Sequence, residues 1–333
     1  MTKRSKLLWN YWKRIVIIVL FIIFTILSLL IGAYEGMTLE ALFAGDERAR
    51  LIFIYSRIPR TMAVILSAAG LSVAGLVMQA ISRNKFMSPS TAGTTDAAAL
   101  GLLISFVFLG DQTVAVQTIF SFVFALIGTF IFVLVISNLK IRETVYIPLL
   151  GMMYGGVISA LASVIAFRFE AVQFSNMINL GSFARLGGFW GVYLVIVPLI
   201  IAVLFATKFS IIGLGEEFAK NLGVNYNHVV MTGLVIVSLI SASTFVTIGP
   251  LPFIGLIIPN MATSFYGDNL KKSIYDLMLF GAVFVLICDI ISRLIIFPFE
   301  MNVSLTISLV GGAIFMIYLI KGVFGGGKRG AKV

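Results

Sequence analysis

Unbroken apolar runs of about 20 residues follow one another along almost the whole chain, with short polar loops between them. Runs of this kind cross a bilayer as helices. Hydrocarbon offers no partner to a backbone N–H or C=O, and a helix satisfies its own. The runs do not alternate with period two, so a transmembrane β-barrel is excluded. The chain has 333 residues, of which 60% are hydrophobic and 11% charged. Its mean hydropathy is +1.08, more apolar surface than a soluble core of this size uses. The expected fold is an all-α polytopic membrane protein with about ten transmembrane helices in a single domain over residues 1–333. The runs fall at 15–33, 57–81, 95–109, 114–137, 145–167, 192–206, 229–248, 253–266, 275–297 and 305–320.

The loops orient the chain. Residues 1–14 carry Lys3, Arg4, Lys6, Lys13 and Arg14, interleaved with Trp9, Tyr11 and Trp12. The apolar run behind them is too long for a signal peptide, and no small-x-small cleavage site follows it. It reads as a first span with a basic flank and an aromatic belt. With alternate loops on opposite sides, one side holds only seven basic residues: Arg48, Arg50, Arg57, Arg60, Arg168, Arg185 and Arg293. The other seventeen of the 24, every lysine among them, share the side of the N-terminus. The positive-inside rule therefore places both termini in the cytoplasm and the protein in the cytoplasmic membrane, in contact with its lipid. A net charge of +10 spread over loops in this way does not describe a nucleic-acid surface. The segment 168–190 is expected to lie outside, with a short helix at the interface. Residues 89–93 are expected to dip at the membrane edge.

Chemistry is sparse. The single cysteine, Cys288, excludes an internal disulfide and a cysteine metal cluster, and the single histidine, His228, excludes the usual metal sites. No Ser/His/Asp set or H-E-x-x-H motif is present, and no span carries paired carboxylates on one face. Gly322 to Arg329 approaches a phosphate-binding loop, but Arg stands where Ser or Thr belongs and no strand precedes it. A flexible basic tail over 321–333 is expected instead. No cofactor or metal is expected on this chain, and ATP, if it drives the protein, would be bound elsewhere. Asp96 and Asp289 lie in or near spans, where ionisable groups are usually functional. Asp289 and Arg293 are four apart on one helix face and can pair. Arg57, Arg60 and Arg293, on the lysine-free side, suit bidentate pairing with carboxylates. In the second run Ser67, Ala68, Ala69, Gly70, Ser72, Ala74 and Gly75 invite close helix packing, as do the pairs Gly151/Gly155 and Gly187/Gly191. Alternatively, the polar residues of the second run border a passage.

Within the polar segment 208–228 lies the stretch Leu214 to Val224. Glu216 and Glu217 open it, Lys220 follows and Gly223 ends it. Acidic residues early and glycine late suit the two ends of a short helix. A structured polar helix in so apolar a chain reads as a handle for a soluble partner, against the plainer reading of a solvated loop.

Several segments resemble, in order and over nearly the whole chain, the FecCD permeases of type II ABC importers for iron siderophores and cobalamin. They are Arg57-Ile58-Pro59-Arg60-Thr61, Val77-Met78-Gln79-Ala80, Arg83-Asn84, the Gly-Glu-Glu…Leu-Gly stretch, Phe253 to Pro259, and Asp289-Ile290-Ile291-Ser292-Arg293. Ser82 to Phe86, Ser88 to Gly93 and Ile258-Pro259-Asn260 are most similar to the petrobactin/catecholate-type permeases. The resemblance implies ten helices and a dimer with a second permease subunit, identical or related, with the pathway along the twofold axis. It implies two cytoplasmic ATPase subunits that hold ATP and Mg, and an extracytoplasmic substrate-binding protein. Gly215, Glu216, Glu217, Ala219, Lys220, Leu222 and Gly223 match the helix that couples to the ATPase. Arg57, Arg60 and Arg293 match the arginines that meet the binding protein, and Ser67, Gly70, Ala74 and Met78 would border the path. The implied function is import of a ferric siderophore by a subunit that is not itself an enzyme. Haem or cobalamin is the alternative cargo, and an ion-coupled carrier resting on Asp96 and Asp289 is the alternative class. Two places depart from the family pattern. Asn260 and Thr263 replace its histidine and arginine, and Glu300-Met301-Asn302 replaces its Glu-Leu-Pro.

Overall fold

Each apolar run folds as a helix, and the helices sort by length into full spans and short ones. The structure, a computed structural model, describes residues 3–32, 46–110, 113–138, 146–184, 190–266 and 270–326. Among these, seven helical stretches are long and apolar enough to cross a bilayer, and Thr94–Leu109, Ile254–Thr263 and Val303–Ile317 are apolar but shorter. In chain order the helices are α1 (Lys3–Leu30), α2 (Glu47–Ile52), α3 (Ile58–Ser82), α4 (Thr94–Leu109), α5 (Val114–Asn138), α6 (Tyr146–Arg168), α7 (Val172–Ile178), α8 (Ile196–Ile212), α9 (Glu216–Asn221), α10 (Tyr226–Ile248), α11 (Ile254–Tyr266), α12 (Leu270–Leu294) and α13 (Val303–Gly326). A π turn, Phe53–Arg57, joins α2 to α3, and a 3-10 turn, Trp190–Val195, leads into α8.

Three boundaries differ from expectation. The basic N-terminal stretch continues the helix of the first span from Lys3 onward. Residues 321–326 of the expected tail belong to α13, because the apolar spacing runs on through Val323 and Phe324. Most of segment 208–228 is helical, since α8 reaches Ile212 and α10 starts at Tyr226. The short helix expected in 168–190 is α7. The loop 139–145, Arg185, Gly187 and the tail from residue 327 lie outside the described residues.

Helix α3 stands at the centre. Every residue from Ser67 to Ile81 is buried, against α8, α10, α11 and α12. Small side chains make this possible, because they let backbones approach closely. A Cβ on Gly75 would fall on the carbonyl oxygen of Gly255 in α11, and one on Gly281 of α12 would fall on the Ser72 hydroxyl.

The short helices start inside the protein. After α3, Arg83 adopts a left-handed conformation (φ 50°) and the chain folds back. Gly93 (φ 72°) then packs on Tyr154 and Gly155, about 12 Å along α6 from its start. A Cβ on Gly151 would meet the Thr91 carbonyl, so both glycines of the expected Gly151/Gly155 pair are contact points. The re-entrant loop satisfies its own backbone. Phe86 N donates to Asn84 Oδ1 (2.9 Å), Ser88 N to Thr91 Oγ1 (2.9 Å), and Asn260 Nδ2 of α11 to the Lys85 carbonyl (2.7 Å). Irregular backbone at such depth is tolerated where protein supplies the partners. The dip expected at the membrane edge is thus a deeper excursion.

Gly75→Ala should destabilise the isolated chain by about 1–3 kcal/mol, the usual cost of overpacking. Gly156→Ala, whose added Cβ meets nothing within 4 Å, should not. Thermal unfolding in detergent reads both, and equal melting temperatures would remove the Gly75–Gly255 contact from the account.

Candidate functional site

The face at which α1 ends gathers most of the buried charge among the described residues. Pro59 begins α3, and its ring cannot accommodate the carbonyl of residue i−4. The helix widens into the Phe53–Arg57 π turn just there, which sets the Arg57 side chain against α1. Arg57 donates to the Leu29 (3.2 Å) and Leu30 (2.5 Å) carbonyls, and Arg293 to the Ser28 (2.9 Å) and Ile31 (2.7 Å) carbonyls. The last turn of α1 has no basic residue of its own. Two guanidiniums from elsewhere therefore cap its orphan carbonyls and its negative dipole end. A Cβ on Gly32 would collide with the Arg57 guanidinium. Arg293 also pairs with Asp289. Arg60 spans Asp289 (2.8 Å) and both oxygens of Glu300 (2.9 and 2.7 Å).

This corrects one expectation. Arg57 is 5% exposed and Arg293 2%, and Arg57 Nη1 and both terminal nitrogens of Arg293 are engaged by α1 and Asp289, so neither stands ready on an outer surface. The reason is energetic, since a buried cation must be paired or capped. Arg60 keeps the outermost place, beside Glu300. Three guanidiniums face two carboxylates, which leaves one positive charge opposite an α1 dipole end of roughly half a charge. The Nε atoms of Arg60 and Arg293 have no partner among the described residues. Arg48 and Arg50 of α2, on the same face, are exposed.

The opposite face carries α9. Gly215 (φ 119°) precedes it and Gly223 (φ 73°) follows it, both in conformations that favour glycine. Its C-terminus closes with Gly223 N donating to the Lys220 carbonyl (2.9 Å) and Val224 N to the Ala219 carbonyl (2.9 Å), a wrapped cap. Ala219 is fully buried and seats the helix. Glu216 and Lys220 pair across one turn at 2.8 Å, and this hydrogen bond raises the Lys220 pKa. Glu217 points to solvent. Phe218 in the helix, and Leu214 and Leu222 just outside its two ends, are 52%, 65% and 56% exposed, so three large apolar side chains are left open at this element. The sequence reading includes Leu222 but misses Leu214 and Phe218, although large apolar residues in a polar segment carry the signal.

The expected border of a passage is also corrected. Ser67, Gly70, Ala74 and Met78 are all buried within the subunit. Ser67 donates to the Val64 carbonyl (3.1 Å), and Val195 and Ile240 fill the space beside Gly70. A helix surrounded by neighbours borders nothing. Helix α6 differs, because a broad face from Leu149 to Phe167 is exposed and includes Gly156, Ser159 and Ser163. Beside it Asp96, in the first turn of α4, accepts a hydrogen bond from Ser159 (2.9 Å). A cavity of about 560 Å³ opens between the start of α6, the re-entrant loop, the start of α11 and α13. Among the described residues no cluster of three His, Cys, Asp or Glu could hold a metal, and Cys288 is buried.

Where the family histidine would stand, Asn260 Nδ2 ties α11 to the Lys85 and Leu256 carbonyls (2.7 Å each). Glu300, noted in the sequence only as part of a departure, proves to be a member of the ion cluster.

Residues 20–321 match the FecCD transport family. The chain is 41% identical to the petrobactin import system permease protein YclN of Bacillus subtilis, covering 91% of this chain and 96% of that one. It is 38% identical to the ferric-anguibactin transport system permease protein FatD of Vibrio anguillarum, over 83% and 89% of the two chains. It is 36% identical to the petrobactin import system permease protein FatD of Bacillus anthracis, over 93% and 92%. The inward-facing structure of a metal-chelate type ABC transporter superposes with a TM-score of 0.76 at 24% identity, over 92% of this chain and 97% of that one, which shows the shared fold. The closely packed central helix, the short helices and the polar helix between spans therefore have a common setting: the chain belongs to the FecCD transport family.

Proposed function

We propose that this chain is the permease subunit of an ATP-driven importer that carries a ferric siderophore into the cell. The observation that carries this reading is α9, a short surface helix with exposed apolar side chains in it and at both its ends, a buried alanine seat and a glycine at each end. It has the form of a helix that lies in a partner's groove. The partner would be an ATPase subunit, one of two, which would bind ATP and Mg and act on α8 and α10 through α9. The positive-inside pattern supports placing α9 and both termini in the cytoplasm. ATP can drive the cycle only if it favours one global state of the assembly over the other. The names of the petrobactin and anguibactin relatives support a siderophore cargo.

A second permease subunit, identical or related, would cover the exposed faces of α6 and α13, and the path would run between the two. On the outer face, a loaded binding protein would dock through carboxylates onto Arg48, Arg50 and the rim of the ion cluster at Arg60. The exposure of Arg48 and Arg50 on that face supports this. Arg57 and Arg293 would hold the rim in place from behind. An ion-coupled carrier finds little support, since Asp289 is bound between Arg60 and Arg293.

Phe218→Asp, or Gly223→Val with its left-handed strain, should lower siderophore uptake more than tenfold while the subunit still inserts and the ATPases still hydrolyse ATP. Normal uptake in both variants would end the coupling role. Glu300→Gln should release Arg60 and tighten binding-protein docking roughly two- to fivefold at low salt, the scale of one exposed ion pair. The gain should fade as salt is added. Unchanged docking at every ionic strength would count against the rim as the contact.

A further inference from the structure

Helix α1 is the least embedded of the seven long spans, and its main neighbour is α12. In lipid no hydrophobic force presses such a helix onto its neighbour. Specific bonds hold it at both ends instead. At its C-terminal end Arg293 of α12 binds the Ser28 and Ile31 carbonyls, and Ser28 Oγ also meets Thr61 Oγ1 of α3 (3.0 Å). Near the other end Arg14 Nε donates to Asp276 Oδ2 of α12 (2.9 Å). Arg14 and Ile31 are 17 residues apart, and so are Asp276 and Arg293. The two helices therefore run parallel and in step, with two rungs about 26 Å apart, most of the hydrocarbon depth. A single rung would let α1 pivot on α12. Two rungs at that separation prevent it.

Asp276 is the informative residue. Its side chain is 7% exposed, and a carboxylate so buried needs its cation. An apolar pair in the same place would pack α1 on α12 with no desolvation cost, and such replacements are often neutral or stabilising. What the ion pair adds is a fixed register. The same stretch of α12 also meets α8, since Tyr275 and Met278 line one groove with Val203 and Leu204. Helix α8 ends at Ile212, and α9 begins at Glu216.

We propose that Arg14 and Asp276 are positioning residues for transport, which lock the inner end of α1 to α12 so that the two helices move as one strut. The outer ion cluster includes Asp289 and Arg293 of α12, so a displacement there moves the strut as a whole. At its inner end the strut presses on α8, and α8 leads to α9. Without the inner rung α12 turns against α1, and part of the displacement is lost on the way. The proposal rests on the importer reading and adds to it a route between the outer face and the ATPases.

The test uses the complete importer in nanodiscs and reads ATP hydrolysis with and without the binding protein. Arg14→Leu with Asp276→Leu removes the ion pair and keeps an apolar contact. This double variant should melt no lower than wild type, dock the binding protein normally and keep its basal hydrolysis. Stimulation by the binding protein should fall roughly fivefold, the low end of coupling between distant sites. The charge exchange, Arg14→Asp with Asp276→Arg, should recover most of that loss. So should Arg14→Cys with Asp276→Cys once a short bis-thiosulfonate bridges the two thiols, because the bridge restores the rung without charge. Wild-type stimulation in the double leucine variant would overturn the proposal. A bridged cysteine pair no better than the unbridged one would overturn it too, and decides the matter if the leucine pair fails to insert. A wild-type complex in which the binding protein stimulates no hydrolysis overturns the importer reading beneath it instead.

Discussion

A helix with neighbours on every side can exist in this protein because the residues at its closest contacts are small. Between Ser67 and Ile81 helix α3 has no outward face, and at Gly75 its backbone lies directly on that of Gly255. With no hydrophobic drive between helices in lipid, such close contact is a main source of cohesion. The other elements follow from it. Helices α8, α10, α11 and α12 take their places around α3, and the loop behind it must fold back into the protein because α11 and α6 close over it.

Charge is handled under the same constraint. Asp289 is fully buried and lies between two guanidiniums, while Arg57 and Arg293 terminate α1. A buried pair of this kind is weak evidence for added stability but strong evidence for a fixed arrangement, since losing either member strands the other. The cluster ties α1, α3, α12 and the approach to α13 at one level. A movement of α13 relative to α3 therefore has to pass through the Arg60–Glu300 contact.

The spans could be read directly, because a run of apolar residues has one outcome in a bilayer. The polar helix was legible too, as carboxylates and a glycine marked its ends. Other features were not. Ser67, Gly70, Ala74 and Met78 have the same composition whether they border a passage or pack a core, and only the neighbours around α3 decide between them. The arginines could be assigned to a face but not to an environment. Arg57 meets a carbonyl 27 residues earlier in the chain and Arg293 one 265 residues earlier, and nothing local announces either contact. The cavity beside α6 joins Phe86, Phe253 and Phe315, whose proximity exists only after folding.

The capping of α1 bears on the timing of synthesis. Arg57 follows the first hydrophobic segment closely and can reach the Leu29 and Leu30 carbonyls, but Arg293 is translated long after, so those of Ser28 and Ile31 enter the bilayer without their guanidinium. Until the twelfth helix arrives, those oxygens must stay at the headgroups or borrow water. A nascent chain cut short before that helix thus carries a loose end at its beginning, a mark that membrane quality control could read.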